Sequence, residues 1–322
     1  MTDQLDVLLL LALPASGKSE VRRYLDQLDP ESARRDMGLG PTTQLDDYPY
    51  VHLMRRISQE LQAMGEDPVF FASDDAPWQE PFDWLTLIHL INADFTQMEN
   101  GGGATPNPSG LLNRFDGARG LAGATEPFRA LSPRVRAALE AGIASDVADL
   151  APVAPADPDS TIVIEFARGG PLEAGLPLPH PFGYAASIAA LSEEIRRRAS
   201  ILYVWVEPEE SRRRNRERAL PGREGDASIL HHGVPETVMV EDYGIDDMNW
   251  LEGRARIPGT IPIGAADIPM QRFDNRIDRT SFLRGEPAEW PTDAVDELHR
   301  DLSAALLRLA CREMSKNRAE PE

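Results

Sequence analysis

The sequence is poor in cysteine, in positive charge and in long apolar runs. Its single cysteine, Cys311, excludes an internal disulfide and a cysteine-rich zinc site. A reducing, cytoplasmic compartment is the simplest expectation for such a chain. The longest apolar run, Val7 to Ala15, has about half the length that a membrane-spanning helix needs. This run follows the acidic residues Asp3 and Asp6, so we expect neither a membrane span nor a signal peptide.

Acidic residues strongly outnumber basic ones. The chain carries 33 Lys and Arg against 53 Asp and Glu, which gives a formal charge of −20. Such a surface repels nucleic acids and anionic membranes, and we predict neither as a partner. With 322 residues, of which 42% are apolar and 27% charged, the chain has the composition of a folded protein with its own core. We predict a single domain over residues 1–322.

Short apolar runs alternate with segments of helical spacing. Residues 6–12, 161–167 and 201–207 are short, mainly apolar runs, which are typical of parallel strands buried on both faces. A weaker strand at 43–45 and a last one at 268–273 complete a predicted five-stranded sheet. Strands that alternate with helices favour an α/β fold with a parallel core.

Helical spacing also defines the predicted layers around this sheet. The residues near 100 and 160 are rich in glycine and proline, and we predict a helical and loop insert between them. The residues from 220 to 260 lack periodicity and suggest an exposed loop or lid. Helices are predicted at 20–28, 51–64, 82–95, 132–150, 187–199, 208–219 and 292–314.

A phosphate-binding pattern lies between the first strand and the first helix. Such loops read Gly, four residues, Gly, Lys, then Ser or Thr, and only Ala12 departs from this pattern, at the first glycine. A helix N-terminus there offers unpaired N–H groups and a favourable dipole to phosphate. The alternative is an ordinary strand–turn–helix corner with a surface lysine. The predicted nucleotide-binding residues are Leu13, Pro14, Ala15, Ser16, Gly17, Lys18 and Ser19.

The loop, the later strands and an arginine-rich helix together resemble the P-loop kinases. The likeness is greatest to the group of uridine kinase, nicotinamide riboside kinase and phosphoribulokinase, and it does not cover the insert at about 100–160. It implies a P-loop NTPase fold of three α/β/α layers, with an arginine-bearing lid at about 208–260. It also implies ATP and Mg²⁺ as cofactors, with Lys18 on the β- and γ-phosphates and the Ser19 hydroxyl on Mg²⁺.

Two acidic segments are candidates for the acceptor side. The sequence Asp46 to Tyr50 is similar to an Asp-x-Phe-Tyr segment of that kinase group, which implies that Asp46 contacts the acceptor hydroxyl and takes its proton. The alternative is an acidic turn or helix cap. The later stretch at 73–84 matches more loosely, with Asp75 and Phe82 as candidate acceptor contacts and Trp84 as a core residue.

Further charged residues follow the later strands. Glu165 ends the strand at 161–167 and is predicted to hold Mg²⁺ through water, although the glycine that the kinase group has next to it is displaced here. Arg168 is predicted to contact a phosphate. The alternative for both residues is an ion pair at the edge of the sheet.

The helix at 208–219 carries five arginines in an otherwise acidic protein. Lid arginines that cover transferring phosphates are one explanation, and Arg218 and Arg223 are the predicted phosphate contacts. The alternative is that these arginines neutralise nearby glutamates. His231 and His232 lack further ligands at metal-site spacing and are assigned to the lid. Asn275 and Arg276 are placed at the adenine by position only.

These residues predict an ATP-dependent kinase that moves the γ-phosphoryl group to a hydroxyl of a small nucleoside-, sugar- or vitamin-like molecule. Lys18, Asp46, Glu165, Arg168 and Arg218 are its predicted catalytic residues. Transfer to an acceptor phosphate stays open because Arg168 would suit it. Two alternatives remain: an ATPase or switch that acts on a protein partner, and a nucleotide-binding domain without transfer. No pattern indicates an oligomeric state.

Overall fold

A six-stranded sheet forms the centre of the protein. The computed structural model describes residues 4–218 and 233–317. Its strands are β1 (Val7–Leu11), β2 (Thr42–Asp46), β3 (Thr161–Phe166), β4 (Ala199–Trp205), β5 (Thr260–Ile263) and β6 (Ala266–Asp274). Their spatial order is β2-β3-β1-β4-β6-β5. All strands except β5 run parallel to their neighbours, and β5 pairs antiparallel with β6.

The prediction of an α/β fold with a parallel sheet is confirmed. Each of the five strands expected from the sequence is present within two residues of its predicted ends. β5 was not expected, because it has only four residues, includes a proline and pairs with a neighbour in a hairpin.

Helices enclose the sheet. They are α1 (Lys18–Asp26), α2 (Pro30–Met37), α3 (Tyr48–Ala63), α4 (Asp83–Glu99), α5 (Pro108–Ala122), α6 (Pro133–Gly142), α7 (Ala144–Ala148), α8 (Gly183–Ala190), α9 (Glu193–Arg198), α10 (Pro208–Arg218), α11 (Glu236–Glu241), α12 (Met248–Glu252) and α13 (Thr292–Asn317). Among the described residues, none of these helices combines the length and apolar character that crossing a membrane requires.

The central strand shows how the layers are built. Val7, Leu9 and Leu11 of β1 pack with α4, α8 and α9 on one face of the sheet. Leu8 and Leu10 pack with α1, α2 and α13 on the other face. Because successive side chains of a strand point to opposite faces, a wholly apolar strand needs cover on both. The result is a three-layer α/β arrangement.

Two long predicted helices are interrupted in the structure. The helix expected at 132–150 breaks into α6 and α7 after Gly142, a poor helix former. The helix expected at 187–199 breaks into α8 and α9. There the Ser192 hydroxyl accepts the Ile195 N–H at 3.2 Å and caps a new helix. Caps and breaks of this kind end a helix even where the apolar spacing continues.

The insert is helical, and the segment before β5 contains helices that were not expected. In the insert, α5, α6 and α7 pack with α3 and α4 around a third apolar core. In the stretch 69–71, Phe70 and Phe71 are buried in this core, and Phe71 forms a single bridge with Trp78. The region expected to be a loop up to residue 260 contains α11 and α12, whose Met239 and Met248 are buried.

Candidate functional site

A cavity of about 310 Å³ opens at the carboxyl ends of the parallel strands. The loop after β1, the first turn of α1, the ends of β2 and β3, and residues 233–243 line it. In open parallel sheets this edge is where ligands bind, because the loops and helix N-termini converge there. The cavity therefore lies at the position expected for a functional site.

Polar side chains from other parts of the chain hydrogen-bond to the backbone of the loop at 12–17. The buried Asn275 amide donates to the Ser16 carbonyl at 2.8 Å and to the Thr280 hydroxyl at 3.0 Å. The Ser211 hydroxyl donates to the Pro14 carbonyl at 2.7 Å. These bonds fix the loop backbone and leave its open side facing the cavity.

Gly17 is required by this arrangement. Its φ is +97°, and a Cβ there would lie 2.5 Å from the Asn275 Nδ2 and closer still to the Thr280 hydroxyl. Ala15 is also left-handed, at φ 57°, a conformation that costs an L-residue free energy. Ala12, which replaces the first glycine of the pattern, is buried in the core with α1 and does not line the cavity.

Lys18 and Arg22 contact carboxylates from two neighbouring strands. The Nζ of Lys18 lies 3.3 Å from Glu165 Oε1, and Arg22 donates to Glu165 Oε2 at 3.0 Å. The Arg22 guanidinium is also 3.6 Å from Asp46 Oδ2. Because β2 and β3 are adjacent and parallel, with Asp46 opposite Glu165 in register, the predicted residues Lys18, Asp46 and Glu165 come together.

Asp46 has the electrostatics of a base that works near neutral pH. Burial, followed by the negative charges of Glu165 and Asp47, raises its pKa to about 6. Lys18 and the Tyr48 N–H, which donates to Asp46 Oδ1 at 2.8 Å, oppose this shift. The second contact also begins α3, so Asp46 serves as a turn residue as the alternative interpretation stated.

The donor set in the cavity fits Mg²⁺. The Ser19 hydroxyl belongs to the lining together with Glu165, and Mg²⁺ is usually bound by few protein oxygens that are completed by phosphate and water. Among the described residues, no group of three or more His, Cys, Asp or Glu could hold a metal ion by itself.

Arg168 does not reach the cavity in this structure. It is 1% exposed, it donates to Asp47 Oδ2 at 2.7 Å, and it lies between the rings of Trp84 and Phe166 at 4.8 and 4.9 Å. A guanidinium enclosed in this way is not available to phosphate. Its contacts correspond to the ion pair that was the alternative interpretation to a phosphate contact, except that this pair is buried.

Arg218 lines the cavity but is already paired. It donates to the buried Glu20 at 2.6 Å, and Arg284 donates to the same carboxylate oxygen at 2.7 Å. Two cations on one carboxylate leave positive charge in excess beside the loop. Arg223, His231 and His232 lie outside the described residues.

The other arginines of α10 make contacts within the protein. Arg212 donates to the Gly244 carbonyl, and Arg213 donates to Glu210 and Glu217. Arg216 pairs with Glu236, and Arg214 donates to Glu210 and to the Asn275 carbonyl at 2.7 Å. Neutralisation of nearby glutamates therefore accounts for much of this basic cluster.

Several looser predictions are corrected by the structure. Asn275 is buried beneath the 12–17 loop and does not line the cavity, while Arg276 is exposed and pairs with Asp274. Asp75 is exposed, and Phe82 packs against His180 instead of lining the cavity. The segment that contains Asp75 and Phe82 contributes different residues to the cavity.

Several of the cavity residues that sequence reasoning missed are aromatic or follow α11. Trp84 was taken for core, and it does pack, but it also lines the cavity with Phe71 and Trp78. Asp242 and Tyr243 lie in a segment that has no periodic pattern. No local motif marks these residues, because they come together only in the folded chain.

Comparison of the chain with protein-family models, with curated proteins and with solved structures finds no match. The functional conclusion therefore rests on the residues and geometry described above.

Proposed function

We propose that the protein is an ATP-dependent phosphotransferase that moves the γ-phosphoryl group to a hydroxyl of a small molecule. One observation carries the proposal. Gly17, Lys18 and Ser19 open a helix into the same cavity that Asp46 and Glu165 reach from adjacent strands. A phosphate-binding helix start, an oxygen ligand for Mg²⁺ and a base of raised pKa are the parts that phosphoryl transfer needs.

In the proposed reaction the loop N–H groups and Lys18 hold the β- and γ-phosphates. Lys18 exchanges its contact with Glu165 for one with phosphate. Ser19, and Glu165 through water, would hold Mg²⁺, which would neutralise charge on the phosphate oxygens. The acceptor oxygen bonds to the γ-phosphorus while the bond to the bridging β–γ oxygen breaks. The proton of the acceptor hydroxyl passes to the carboxylate of Asp46, and ADP leaves.

Arg218 and Arg168 have different roles in this proposal. Arg218 lies at the cavity, where its positive charge would stabilise the transferring phosphoryl group. Arg168 is a positioning residue: its bond to Asp47 holds that carboxylate next to Asp46 and so helps to set the pKa of Asp46.

The first experiment measures binding of ATP with Mg²⁺ by calorimetry. We expect the native chain to bind and Lys18→Ala to lose binding, because the phosphates lose their cation. Arg35→Ala removes an exposed cation whose hydrogen bonds go to Ser32 and Asp36 on α2 and should leave binding unchanged. Absence of binding by the native chain, or equal binding by Lys18→Ala, overturns the proposal.

The second experiment separates transfer from simple nucleotide binding. Asp46→Asn keeps the shape of the side chain but removes the base. We expect ATP binding to persist while acceptor-dependent ADP release falls about 10²–10⁴-fold, the usual contribution of a general base. ATP hydrolysis that is unaffected by the substitution and by any added alcohol would instead support the switch interpretation.

A further inference from the structure

Arg22 contacts both of the carboxylates that the proposed function uses. It lies on α1 one turn after Lys18, so the two side chains project from the same face of the helix. The Arg22 Nη1 lies 3.0 Å from Glu165 Oε2 and 3.6 Å from Asp46 Oδ2, and Arg22 lines the cavity. Arg22 is therefore a cation of the site that the phosphate-binding pattern, which ends at Ser19, does not include.

The charges at this point balance within the protein itself. Glu165 and Asp46 carry two negative charges when both are ionised. Lys18 and Arg22 supply two positive charges in contact with them. Asp26, one turn further along α1, is a third carboxylate within reach of the Arg22 charge. Neighbouring carboxylates without such cations would repel each other and attract a divalent cation, because Mg²⁺ and Mn²⁺ prefer oxygen ligands.

Lys18 and Arg22 contact different oxygens of Glu165. The Lys18 Nζ lies 3.3 Å from Oε1, and Arg22 donates to Oε2 at 3.0 Å. In the proposed reaction Lys18 moves to phosphate and frees Oε1, while the Arg22 guanidinium can stay on Oε2. A carboxylate that is held at one oxygen presents the other in a fixed direction. The contact with Arg22 therefore sets the direction in which the freed Oε1 faces.

We propose that Arg22 is a positioning residue that neutralises the carboxylates of Asp46 and Glu165 and so keeps a divalent cation from binding them in the absence of nucleotide. Lys18 leaves Glu165 when the phosphates bind, and only then do the carboxylates accept the cation. This order of binding rests on the proposed function, whereas the exclusion of metal from the nucleotide-free protein depends only on these side chains. A purely structural ion pair would contribute to stability and leave metal affinity unchanged.

The experiment measures binding of Mn²⁺, used as the probe for Mg²⁺, to the full chain without nucleotide. Electron paramagnetic resonance measures free Mn²⁺, and water proton relaxation reports the bound ion. Arg22→Met keeps a long unbranched side chain but removes the charge. We expect this variant to gain one Mn²⁺ site that binds at least about tenfold more tightly than any site of the native chain, because the carboxylates then face one positive charge fewer.

Three further variants assign the gained site. Arg22→Lys restores a positive charge at this position and should bind Mn²⁺ as the native chain does. Arg22→Met combined with Glu165→Gln removes one of the two carboxylates and should lose the gained site. Arg23→Met is the matched control. It removes the next arginine of α1, which donates to the Arg284 carbonyl at 2.9 Å, and should leave Mn²⁺ binding unchanged.

Three outcomes overturn the proposal. They are the absence of a gained site in Arg22→Met, an equal gain in Arg22→Lys or Arg23→Met, and a gained site that persists when Glu165→Gln is added. Circular dichroism checks that each variant is folded. If Arg22→Met does not fold, Arg22→Gln, which is neutral but keeps an N–H donor, takes its place with the same expected gain.

The outcome is separable from that for the proposed function, because Mn²⁺ binding is measured without nucleotide. If Arg22→Met gains the site but the native chain does not bind ATP, the phosphotransferase proposal fails and the exclusion of metal by Arg22 stands. If ATP binds in a Lys18-dependent way but Arg22→Met gains no site, only the present inference fails.

Discussion

At the scale of single residues, the choice of side chain at the site is narrow. Lys18 is one of two lysines in the chain, so 33 − 2 = 31 of the basic residues are arginine. Lysine carries a compact ammonium group with three N–H donors, whereas arginine carries a wide, planar guanidinium group. The compact charge lies in the first turn of a helix, directly after a left-handed glycine and 3.3 Å from Glu165. The scarcity of lysine elsewhere makes its presence at this position more informative.

Gly17 provides a prediction with a matched control. Gly17→Ala adds a Cβ to a left-handed residue and forces it against Asn275 and Thr280, whereas Gly65→Ala adds one at φ +77° with nothing within 4 Å. The left-handed conformation costs an L-residue about 1–2 kcal/mol. In urea unfolding we expect Gly65→Ala to lose about that amount of stability, Gly17→Ala to lose more, and only Gly17→Ala to lose ATP binding. Equal losses of stability would show that the loop yields to the added Cβ without cost.

Asp46 provides a prediction on titration. Burial raises its pKa to about 6, and the charge of Glu165 is the next largest cause. Removing that charge in Glu165→Gln should lower the pKa of Asp46 but keep it above its ordinary value, because burial persists. A carboxyl ¹³C NMR titration of the native chain and the variant measures this. Glu66→Gln, at an exposed position, is the control, and an unchanged pKa in Glu165→Gln would contradict the assigned cause.

At the scale of elements, the site depends on how the loop after β1 is supported. Asn275 follows β6, the strand on the far side of β4, yet its amide holds the Ser16 carbonyl. Support of this kind comes from a distant part of the chain and leaves the loop backbone fixed before any ligand binds.

Asn275→Ala tests that support. The substitution leaves the Ser16 carbonyl and the Arg279 N–H without their present partner, and each unpaired buried group costs about 1–3 kcal/mol. We expect lower stability in denaturant unfolding and weaker ATP binding at a temperature where the variant remains folded, although Asn275 does not line the cavity. Asn113→Ala removes an exposed asparagine whose bond is to Arg136 and should leave ATP binding unchanged. Unaltered ATP binding by folded Asn275→Ala would show that the loop holds its shape without the amide.

The sequence predicted those elements whose signal is local. β1 is a wholly apolar run, β3 is apolar except for Thr161 and Glu165, and the 12–17 loop carries its own motif. Sequence reasoning failed where a short-range feature overrode the apolar spacing, as at Ser192, or where a strand is defined by its hairpin partner, as in β5. α2 was also missed, although Asp29 before Pro30 is a readable start signal.

The candidate site, too, contains residues that the sequence could predict and residues that it could not. Lys18, Asp46 and Glu165 could be named from the sequence, because each follows a predicted parallel strand and such ends meet at one edge of the sheet. The aromatic part of the lining could not, because Trp84 and Asp242 come from segments far apart in the chain and Trp84 has the apolar spacing of a core residue. Its second role, in the cavity lining, is visible only in the folded molecule.

At the scale of the whole molecule, buried carboxyl groups couple folding to pH. Burial raises the pKa of Asp46 and of Asp246 to about 6 and that of Asp242 to about 7. In the unfolded chain each would titrate near 3.8, the ordinary value. The folded protein therefore holds these protons more tightly than the unfolded chain does. Their contribution to stability is full below about pH 4 and is lost as the pH rises through about 6 to 7.

We accordingly expect the thermal midpoint of the protein to be lower at about pH 8 than at about pH 5.5, measured at constant ionic strength by circular dichroism. The overall charge of −20 acts in the same direction, because self-repulsion grows as carboxyl groups ionise. Asp242→Asn and Asp246→Asn separate the two causes. Each amide cannot titrate, so each variant should show a smaller fall in midpoint between the two pH values, whereas Glu241→Gln, with an exposed side chain, should show nearly the native fall. A thermal midpoint that stays constant or rises from about pH 5.5 to about pH 8 would contradict the raised pKa values. Carboxyl groups with ordinary pKa values have already lost their protons below about pH 5.5, in the folded and in the unfolded state alike.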